Sequence, residues 1–399
     1  MAAPVEQATP VRLPLLLALV TAAVFLAFTT AFMLGPLLVD LADEFNTTVS
    51  VTGQLVAITS VSWGIIALLS GPFSDVYGRR PLLILGLGLM GVATLAAALS
   101  WNYGSLALFR FFTSFGAALV PTSSMAAIAD YFPAHIRGRA LGLMVSGSSL
   151  AVVLGVPAVA LVADYSSWRW SFGLMGGAAL LVMVLFILAF PRRQQARQRI
   201  RLDFRARLLE PLHHGLFRRV LLANLTLQLV AATLWIYISA FLMERYGLSL
   251  GQVAGPFAVV ATGLVVGALL GGRVADTRYG LGAAAVALAA GGAVAWVLFG
   301  SGPGLWLSVA LGALLNILMN VARGVFMKTL LGVVQETRAS LMGLLVASNQ
   351  AGNVLGSAVG GLVIGLSGFP MLGLFLLLAG LAGAGVTATL VARRASSAG

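Results

Sequence analysis

Long apolar runs, separated by short segments that carry the charges, dominate the pattern of this chain. A transmembrane helix takes about 20 consecutive apolar residues. Eight predicted spans of that kind follow one another as 13–39, 51–73, 81–100, 101–129, 140–163, 170–190, 220–243 and 248–271. Two further charge-free runs, Tyr279–Ala322 and Ala339–Ala392, are too long for one crossing, and Gly- and Pro-containing turns at 300–304 and 367–370 divide them. We therefore predict an all-α membrane protein with twelve transmembrane helices, called spans 1 to 12.

The basic residues gather on one side of these spans. The segment 191–217 is rich in Arg, and it lies on the same side as the tails 1–12 and 393–399. Because cytoplasmic loops carry an excess of Lys and Arg, both termini are predicted to be cytoplasmic, in a bacterial inner membrane. The net charge of +12 is spread between apolar runs, so we expect a lipid bilayer, and no nucleic acid, as the partner of the basic segments.

Composition excludes several function classes. About 60% of the residues are apolar and only 9% are charged, whereas soluble domains usually carry about 25% charged residues. The chain has no Cys and only three His, and no cluster has the spacing of a metal site, so no metal and no cofactor are expected. With no nucleophile beside a base, an enzyme is not predicted.

An internal repeat divides the chain into two halves. Pairs of like residues lie 201 positions apart, among them Gly71 and Gly272, Asp75 and Asp276, and Arg137 and Arg338. The repeat predicts two pseudo-symmetric six-helix bundles, 13–190 and 218–392, joined by the linker 191–217. Transporters built from such halves hold their substrate at the interface between them, near the bilayer midplane.

At this point the residues resemble a known family. The segment from Gly71 to Pro81, GPFSDVYGRRP, resembles the loop 2–3 signature G-x-x-x-D-x-x-G-R-[KR] of the major facilitator superfamily, and Gly272–Gly280 echoes it. Arg110 with Gly116, and Trp168 to Phe172, are similar to elements of its twelve-helix drug/proton antiporter branch, in which bacterial arabinose-efflux-like permeases fall.

The resemblance implies a gate on the cytoplasmic side. Asp75 would meet the start of span 11 and Asp276 the start of span 5, where a helix N-terminus favours a carboxylate. The other residues that it implies in gating are Gly71, Gly78, Arg79, Arg80, Gly272, Arg278, Arg137, Arg139 and Arg338. Alternatively, the basic residues only fix the topology.

The resemblance also implies protons as the coupling ion. It gives Arg110, in span 4, a role in proton coupling or charge balance. A guanidinium stays protonated in proteins, so Arg110 would act by lowering the pKa of an acid, and Asp40, at the outer end of span 1, is the candidate. Asp40 is otherwise a solvated interfacial residue.

Span 5 departs from the antiporter pattern G-x-x-x-G-P-x-x-G-G. Ala151 stands in place of the first Gly, Gly155-Val156-Pro157 in place of G-P, and Val159-Ala160 in place of the last pair. The departure leaves uptake or facilitated diffusion open. Glycines spaced by four in spans 8 and 11 indicate either tight packing or surfaces that slide during transport.

Polar residues inside the spans are the candidate substrate site. Ionisable and amide groups in hydrocarbon are costly and are therefore functional candidates. Two helical stripes share a face and predict the substrate-binding residues Arg323, Asn320, Asn316, Gln228, Asn224 and Trp235. The alternative is hydrogen bonding between helices away from the substrate.

We interpret the chain as a secondary active transporter that works by alternating access. We expect proton-coupled efflux of a small organic solute by a monomer. The solute is expected to be neutral or anionic, because no carboxylate lies mid-membrane to attract a cation. An uptake permease or uniporter and a polyspecific drug exporter are the alternatives within transport, and an integral-membrane enzyme or receptor lies outside it.

Overall fold

The fold is all helical in the part of the chain that the computed structural model describes. It describes the backbone of residues 13–189, 215–331 and 338–396, and their side chains except 70–72, 74–77, 331–343 and 393–396. Eleven of its helices are long and apolar enough to cross a membrane. The last, Arg338–Ser396, has a non-helical glycine, Gly368 (φ 75°, ψ −175°), at the predicted turn and so makes two crossings. Twelve crossings result, as predicted.

The helices alternate in direction between two faces. The terminal face is the one where span 1 begins at Leu13, and the opposite face lies at the other end of the spans. The bounds of the helices in chain order are Leu13–Phe32 and Leu34–Glu44 (span 1), Val49–Tyr77 (2), Arg79–Ala98 (3), Tyr103–Tyr131 (4), Ala134–Leu150 and Val156–Tyr165 (5), Trp168–Ala189 (6), Gly215–Tyr246 (7), Leu250–Ala275 (8), Gly280–Ser301 (9), Leu305–Leu331 (10), 338–367 (11) and 369–396 (12).

The predicted linker 191–217 lies largely outside the described residues, because span 7 begins at Gly215 and residues 190–214 are not described. The predicted tail 1–12 is likewise outside them.

Local sequence explains where two spans begin on the opposite face. The side chain of Asn102 accepts a hydrogen bond from the backbone N–H of Ser105, whose hydroxyl in turn accepts one from the N–H of Asn102. Ser249 and Gln252 form the same reciprocal pair at the start of span 8. Each capping box satisfies backbone donors that a helix start would otherwise leave without partners.

Span 5 contains a π-helical turn, Ala151–Gly155, between its two α-helical parts. Pro157, two residues after the turn, has no N–H, and its ring would clash with the carbonyl group four residues earlier in a regular α-helix. The wider π turn accommodates this change within a continuous span.

The glycines spaced by four pack helices within the second half. A Cβ added at Gly263 or Gly267 of span 8 would meet the backbone of span 10. A Cβ at Gly352 or Gly356 of span 11 would meet the backbone of span 7. These glycines therefore bring together helices of one half, which favours the packing interpretation over surfaces that slide between halves.

The two halves meet in a seam at the opposite face. Ser50 of span 2 donates its hydroxyl hydrogen to the carbonyl oxygen of Gly361 in span 11 (2.6 Å), and Gln54 donates to Ala358 one turn deeper (3.4 Å). Gly35 of span 1 lies against the backbone carbonyl of Trp235 in span 7. Because these contacts join two pairs of helices, spans 2 and 11 and spans 1 and 7, the path between the halves is closed there.

Span 5 shows that the terminal face is less closed. Its part near the opposite face, Val156–Tyr165, packs on span 8. Its part near the terminal face, Ala134–Leu150, packs on span 1, where Gly147 lies against Thr21, and only three of its residues are buried. One side of this segment is therefore not covered by any other part of the chain that the structure describes.

Candidate functional site

A chain of four hydrogen-bonded side chains crosses the second half near its centre. Arg323 of span 10 donates through Nη2 to Oε1 of Gln228 in span 7 (2.7 Å). Gln228 donates through Nε2 to Oδ1 of Asn353 in span 11 (2.7 Å), and Asn353 donates through Nδ2 to Oε1 of Gln350 (2.7 Å). All four side chains are half-buried. We call this set the Arg323 relay.

The Arg323 relay reaches the first half at its far end. The Cβ of Gln350 lies against Gly64 of span 2, where a Cβ added to the glycine would come within 3.2 Å. Arg323 is eight residues from the end of span 10, about 12 Å at 1.5 Å per residue. The relay therefore lies well inside the membrane and at the interface between the halves.

A second group of hydrogen bonds runs beside the relay. Asn224 of span 7 donates through Nδ2 to Oγ of Ser348 (3.2 Å) and to Oδ1 of Asn349 (2.8 Å). Ser348 donates its hydroxyl hydrogen to the carbonyl oxygen of Leu221 (3.0 Å). Asn224 is 1% exposed, so this group ties spans 7 and 11 together at the same depth as the relay.

Four members of these networks were missed by the sequence analysis: Ser348, Asn349, Gln350 and Asn353 of span 11. The signal was present, because these uncharged polar residues fall within one helical turn or two in an otherwise apolar run. Their short spacing among glycines is typical of helix packing, so the sequence alone did not mark them as a site.

Asn316 and Asn320 lie elsewhere than predicted. Asn316 is fully buried and donates to the carbonyl oxygen of Val260 in span 8 (3.0 Å). Asn320 donates to the carbonyl oxygen of Asn316, and its Cβ faces Gly267 of span 8. The close approach of span 8 covers these short side chains, whereas the longer side chain of Arg323 reaches span 7. In this conformation Asn316 bonds to another helix, and Asn320 bonds within its own helix while its Cβ packs against span 8.

Trp235 belongs to the closed seam. Its indole ring lies 6.1 Å from the ring of Phe32 in span 1 and 5.5 Å from that of Phe257 in span 8, measured between centroids. It is only 7% exposed. Aromatic contacts of this kind hold the halves together above the relay, so the predicted stacking on a substrate would require the seam to open.

Arg110 is fully buried inside the first half. Its Nη2 donates to the carbonyl oxygen of Thr30 in span 1 (2.9 Å), and its guanidinium lies 5.6 Å from the ring centroid of Phe172 in span 6. Among the described residues its Nε and Nη1 have no hydrogen-bond partner. Asp40 is ten residues beyond Thr30, about 15 Å along a helix, and the predicted pair of Arg110 with Asp40 is not formed.

Asp40 lies beyond the end of the apolar run of span 1, at the opposite face. Burial raises the pKa of its carboxyl group above the ordinary value of 3.8, and the neighbouring charges of Asp43 and Asp164 raise it further. Asp164 itself lies against Gly251, in the first turn of span 8. An acid with a raised pKa therefore stands beside a contact between the halves.

The loop 2–3 segment contacts its own half at the terminal face. Gly78, at φ 87°, begins span 3 in a conformation that favours glycine. Arg79 pairs with Asp130 at the end of span 4 (2.9 Å), and Arg80 donates to the carbonyl oxygen of Ile187 in span 6 (3.0 Å). Gly71 and Asp75 lie in the helical backbone of span 2, but their side-chain positions are outside the described part.

The second-half echo of this loop is arranged differently. Asp276 pairs with Lys328 of span 10 (2.7 Å), with 77% of its side chain exposed, and not with the start of span 5 as predicted. Arg278 lies over the ring of Tyr279 (4.6 Å). A Cβ added at Gly272 would meet nothing within 4 Å. In this conformation, Gly272, Asp276 and Arg278 therefore make none of the described contacts with the first half.

The remaining predicted gating residues lie at the same face. Arg137, in the first turn of span 5, donates to the carbonyl oxygen of Phe132, directly after span 4 (3.2 Å), and Arg139 is exposed. Arg338 is the first residue of span 11, and its side chain is outside the described part.

Comparison with protein families decides the class of the molecule. The family model described as Major Facilitator Superfamily matches residues 20–336, which is more than half of the chain. The chain belongs to the Major Facilitator Superfamily.

Three MFS-type transporters of Bacillus subtilis (strain 168) are similar in sequence. YwfA is 38% identical over 161 residues, which cover 40% of this chain and 39% of YwfA. YceJ is 23% identical over 252 residues, 63% of this chain and 64% of YceJ, and YybF is 26% identical over 170 residues, 43% and 42%. The matched parts span less than two thirds of each relative.

Solved structures share the fold over nearly the whole chain. A bacterial homologue of the human lysosomal transporter Spinster, in an inward-facing and unoccupied conformation, has a TM-score of 0.72 at 18% identity and covers 94% of this chain and 93% of its own. The D-xylose-proton symporter has a TM-score of 0.71 at 17% identity, with 93% and 97% covered. At these identities the likeness shows that the chain has the fold of multi-pass membrane proteins of this superfamily.

Proposed function

We propose that this transporter exports a small neutral or anionic organic solute across the bacterial inner membrane in exchange for protons. The observation that carries the proposal is the Arg323 relay. It places polar groups deep in the membrane, between a seam that is closed at one face and a segment of span 5 that is uncovered at the other.

The charges support an assignment of the two faces. The Arg-rich segments of the chain join helix ends at the terminal face, and such segments stay in the cytoplasm. On this assignment the structure is the inward-open state, and Arg323 is reached from the cytoplasm. A Cys introduced at the exposed position His135 would then react with an impermeant reagent only from the inner side.

Asp40 supports a coupling to protons. Protonation removes its repulsion with Asp43 and Asp164 beside the seam, so protons arriving from outside would favour closure of the outer face. The similarity in fold to a proton symporter agrees with coupling but leaves the direction open. Arg110 remains a proposed contributor to charge balance in span 4.

Uptake is the second candidate, and the altered pattern at Ala151, Val156 and Val159 in span 5 favours it. Purified protein in liposomes with an imposed pH gradient separates the two. Exchange predicts that solute accumulates on the side from which protons leave, and the Asp40→Asn variant loses this accumulation. Accumulation in the direction of proton flow would establish a symporter, and transport without any effect of the gradient would establish a uniporter.

A further inference from the structure

The amide groups of the Arg323 relay all point the same way, and Arg323 dictates that direction. A guanidinium has five N–H donors and no acceptor, so the end of Gln228 that faces it must be the carbonyl oxygen. The NH₂ group of Gln228 then faces Asn353 and requires a carbonyl oxygen there. The same step repeats between Asn353 and Gln350. The order of donors and acceptors is thus fixed by chemistry along the whole relay.

The relay therefore ends in a donor. The carbonyl oxygen of Gln350 accepts a hydrogen bond from Asn353. The NH₂ group of Gln350 remains, and it makes no hydrogen bond within the described residues. The Cβ of the same side chain contacts Gly64, where span 11 meets span 2. A half-buried amide with its acceptor occupied and its donors free is suited to a ligand oxygen.

The neighbouring group of bonds ends in the same way. Ser348 uses its only proton on the carbonyl oxygen of Leu221, so its oxygen must accept from Asn224. The NH₂ group of Asn224 also occupies the carbonyl oxygen of Asn349. The NH₂ group of Asn349, the residue before Gln350, makes no hydrogen bond within the described residues.

The groups of the Arg323 relay and of Asn349 that make no hydrogen bond among the described residues are donors, and each of their amide oxygens already accepts one bond. Arg323 adds its Nε, which is buried and has no partner among the described residues, and in the same part of the chain it forms no salt bridge. No carboxylate lies in the middle of any span to neutralise it. Donors around an uncompensated positive charge favour an anion whose oxygens accept several hydrogen bonds, and they disfavour a cation.

We infer that the transported solute is an organic anion of the carboxylate, sulfonate or phosphate type, and that Gln350 is a specificity-determining residue that binds its oxygen. This inference rests on the proposed function and narrows its substrate class from neutral or anionic to anionic. Gln350 lies at the interface, since its Cβ contacts Gly64 of span 2, so an anion that engages its NH₂ group binds where the two halves meet.

Three probes of nearly equal size test the inference on the full-length protein in lipid nanodiscs. Benzenesulfonate carries a permanent negative charge, benzenesulfonamide is neutral, and phenyltrimethylammonium carries a permanent positive charge. Calorimetry at millimolar concentration should show benzenesulfonate bound about tenfold more tightly than benzenesulfonamide, the ratio for roughly one charge-assisted hydrogen bond. The cation should not bind.

Two substitutions of Gln350 distinguish its role as a hydrogen-bond donor from its role in packing. In Gln350→Glu one carboxylate oxygen still accepts from Asn353, but the free NH₂ becomes an acceptor, so benzenesulfonate should weaken by more than tenfold and phenyltrimethylammonium should gain. Gln350→Met should weaken benzenesulfonate without that gain. Gln252→Glu makes the same chemical change in the capping box of span 8, where Glu serves as well as Gln, and should leave all three probes unchanged.

Several outcomes would overturn the inference: no binding of benzenesulfonate, binding of the neutral probe or the cation at least as tight, or an unchanged affinity in Gln350→Glu. Flux of the two charged probes in proteoliposomes is read separately. Binding that depends on Gln350 without any flux contradicts the proposed function and leaves Gln350 standing as the residue that selects an anion. Cation flux indifferent to Gln350 supports transport and overturns the inference.

Discussion

A methyl group at Gly35 should act as a wedge between the two halves. A Cβ built there would lie 2.6 Å from the backbone carbonyl oxygen of Trp235 and 3.6 Å from that of Ile236. Both neighbours belong to span 7, in the other half of the molecule, and backbone atoms cannot rotate out of the way. Gly35→Ala therefore disfavours only the conformation in which the opposite face is closed.

The size of the effect follows from the cost of overpacking. One extra methyl group in a tightly packed contact costs about 1–3 kcal/mol. The conformational entropy that Ala removes from the unfolded chain is common to both conformations and cancels from their ratio. At 1.4 kcal/mol per factor of ten, the ratio of closed to open seam should fall by roughly 5- to 150-fold.

Spin labels can measure this ratio, because the chain has no native Cys. A pair introduced at the exposed positions Tyr165 and Glu244 spans the opposite face, and a pair at His135 and Met327 spans the terminal face. Pulsed dipolar spectroscopy should show the first pair moving apart and the second approaching in Gly35→Ala.

The matched control is Gly177→Ala in span 6, where an added Cβ meets nothing within 4 Å. It should leave both distance distributions as in the wild type. If Gly35→Ala also left them unchanged in a folded protein, the seam would not be the contact that holds the opposite face closed.

Three further predictions concern charge. Arg323→Ala should weaken benzenesulfonate binding by about 1.5–3 kcal/mol; an equal loss for a lipophilic cation in the same titration would contradict a role in charge selection. Asp40→Asn should flatten the pH dependence of the melting temperature. The pKa of Asp40 is raised above 3.8 in the folded protein, so wild-type stability falls as the pH rises from 3.8 through the raised pKa. An equally steep fall in the variant would show that Asp40 does not cause it. Asp75→Asn should remove the proposed latch at the terminal face, which is worth about 1–2 kcal/mol, and so increase the open fraction of that face several-fold. An unchanged distance between spin labels at the terminal face would exclude the latch.

The crossings could be predicted from sequence because their cause is local. A run of about 20 apolar residues has to form a helix in lipid, whatever its neighbours are. The turn at Gly368 was visible for the same reason, since Gly and Pro interrupt the run there.

The site could be predicted only in part. Arg323, Gln228 and Asn224 stood out as polar groups within spans, and the structure places Arg323 and Gln228 in one relay. Asn316 and Asn320 share a helical face with Arg323, but a shared face does not reveal which helix covers each residue. Gly263 and Gly267 bring span 8 over the two amides, and that depends on contacts that are distant in sequence.

The π-helical turn of span 5 sets the direction of the residues that follow it. One more residue in a regular α-helix rotates every later residue by about 100°. A π turn holds one more residue in its ring, so Ala151–Gly155 changes the angle at which Val156–Tyr165 continues the span. Asp164, near the end of that segment, lies against Gly251 at the start of span 8. The face that span 5 presents to the second half therefore depends on this one turn.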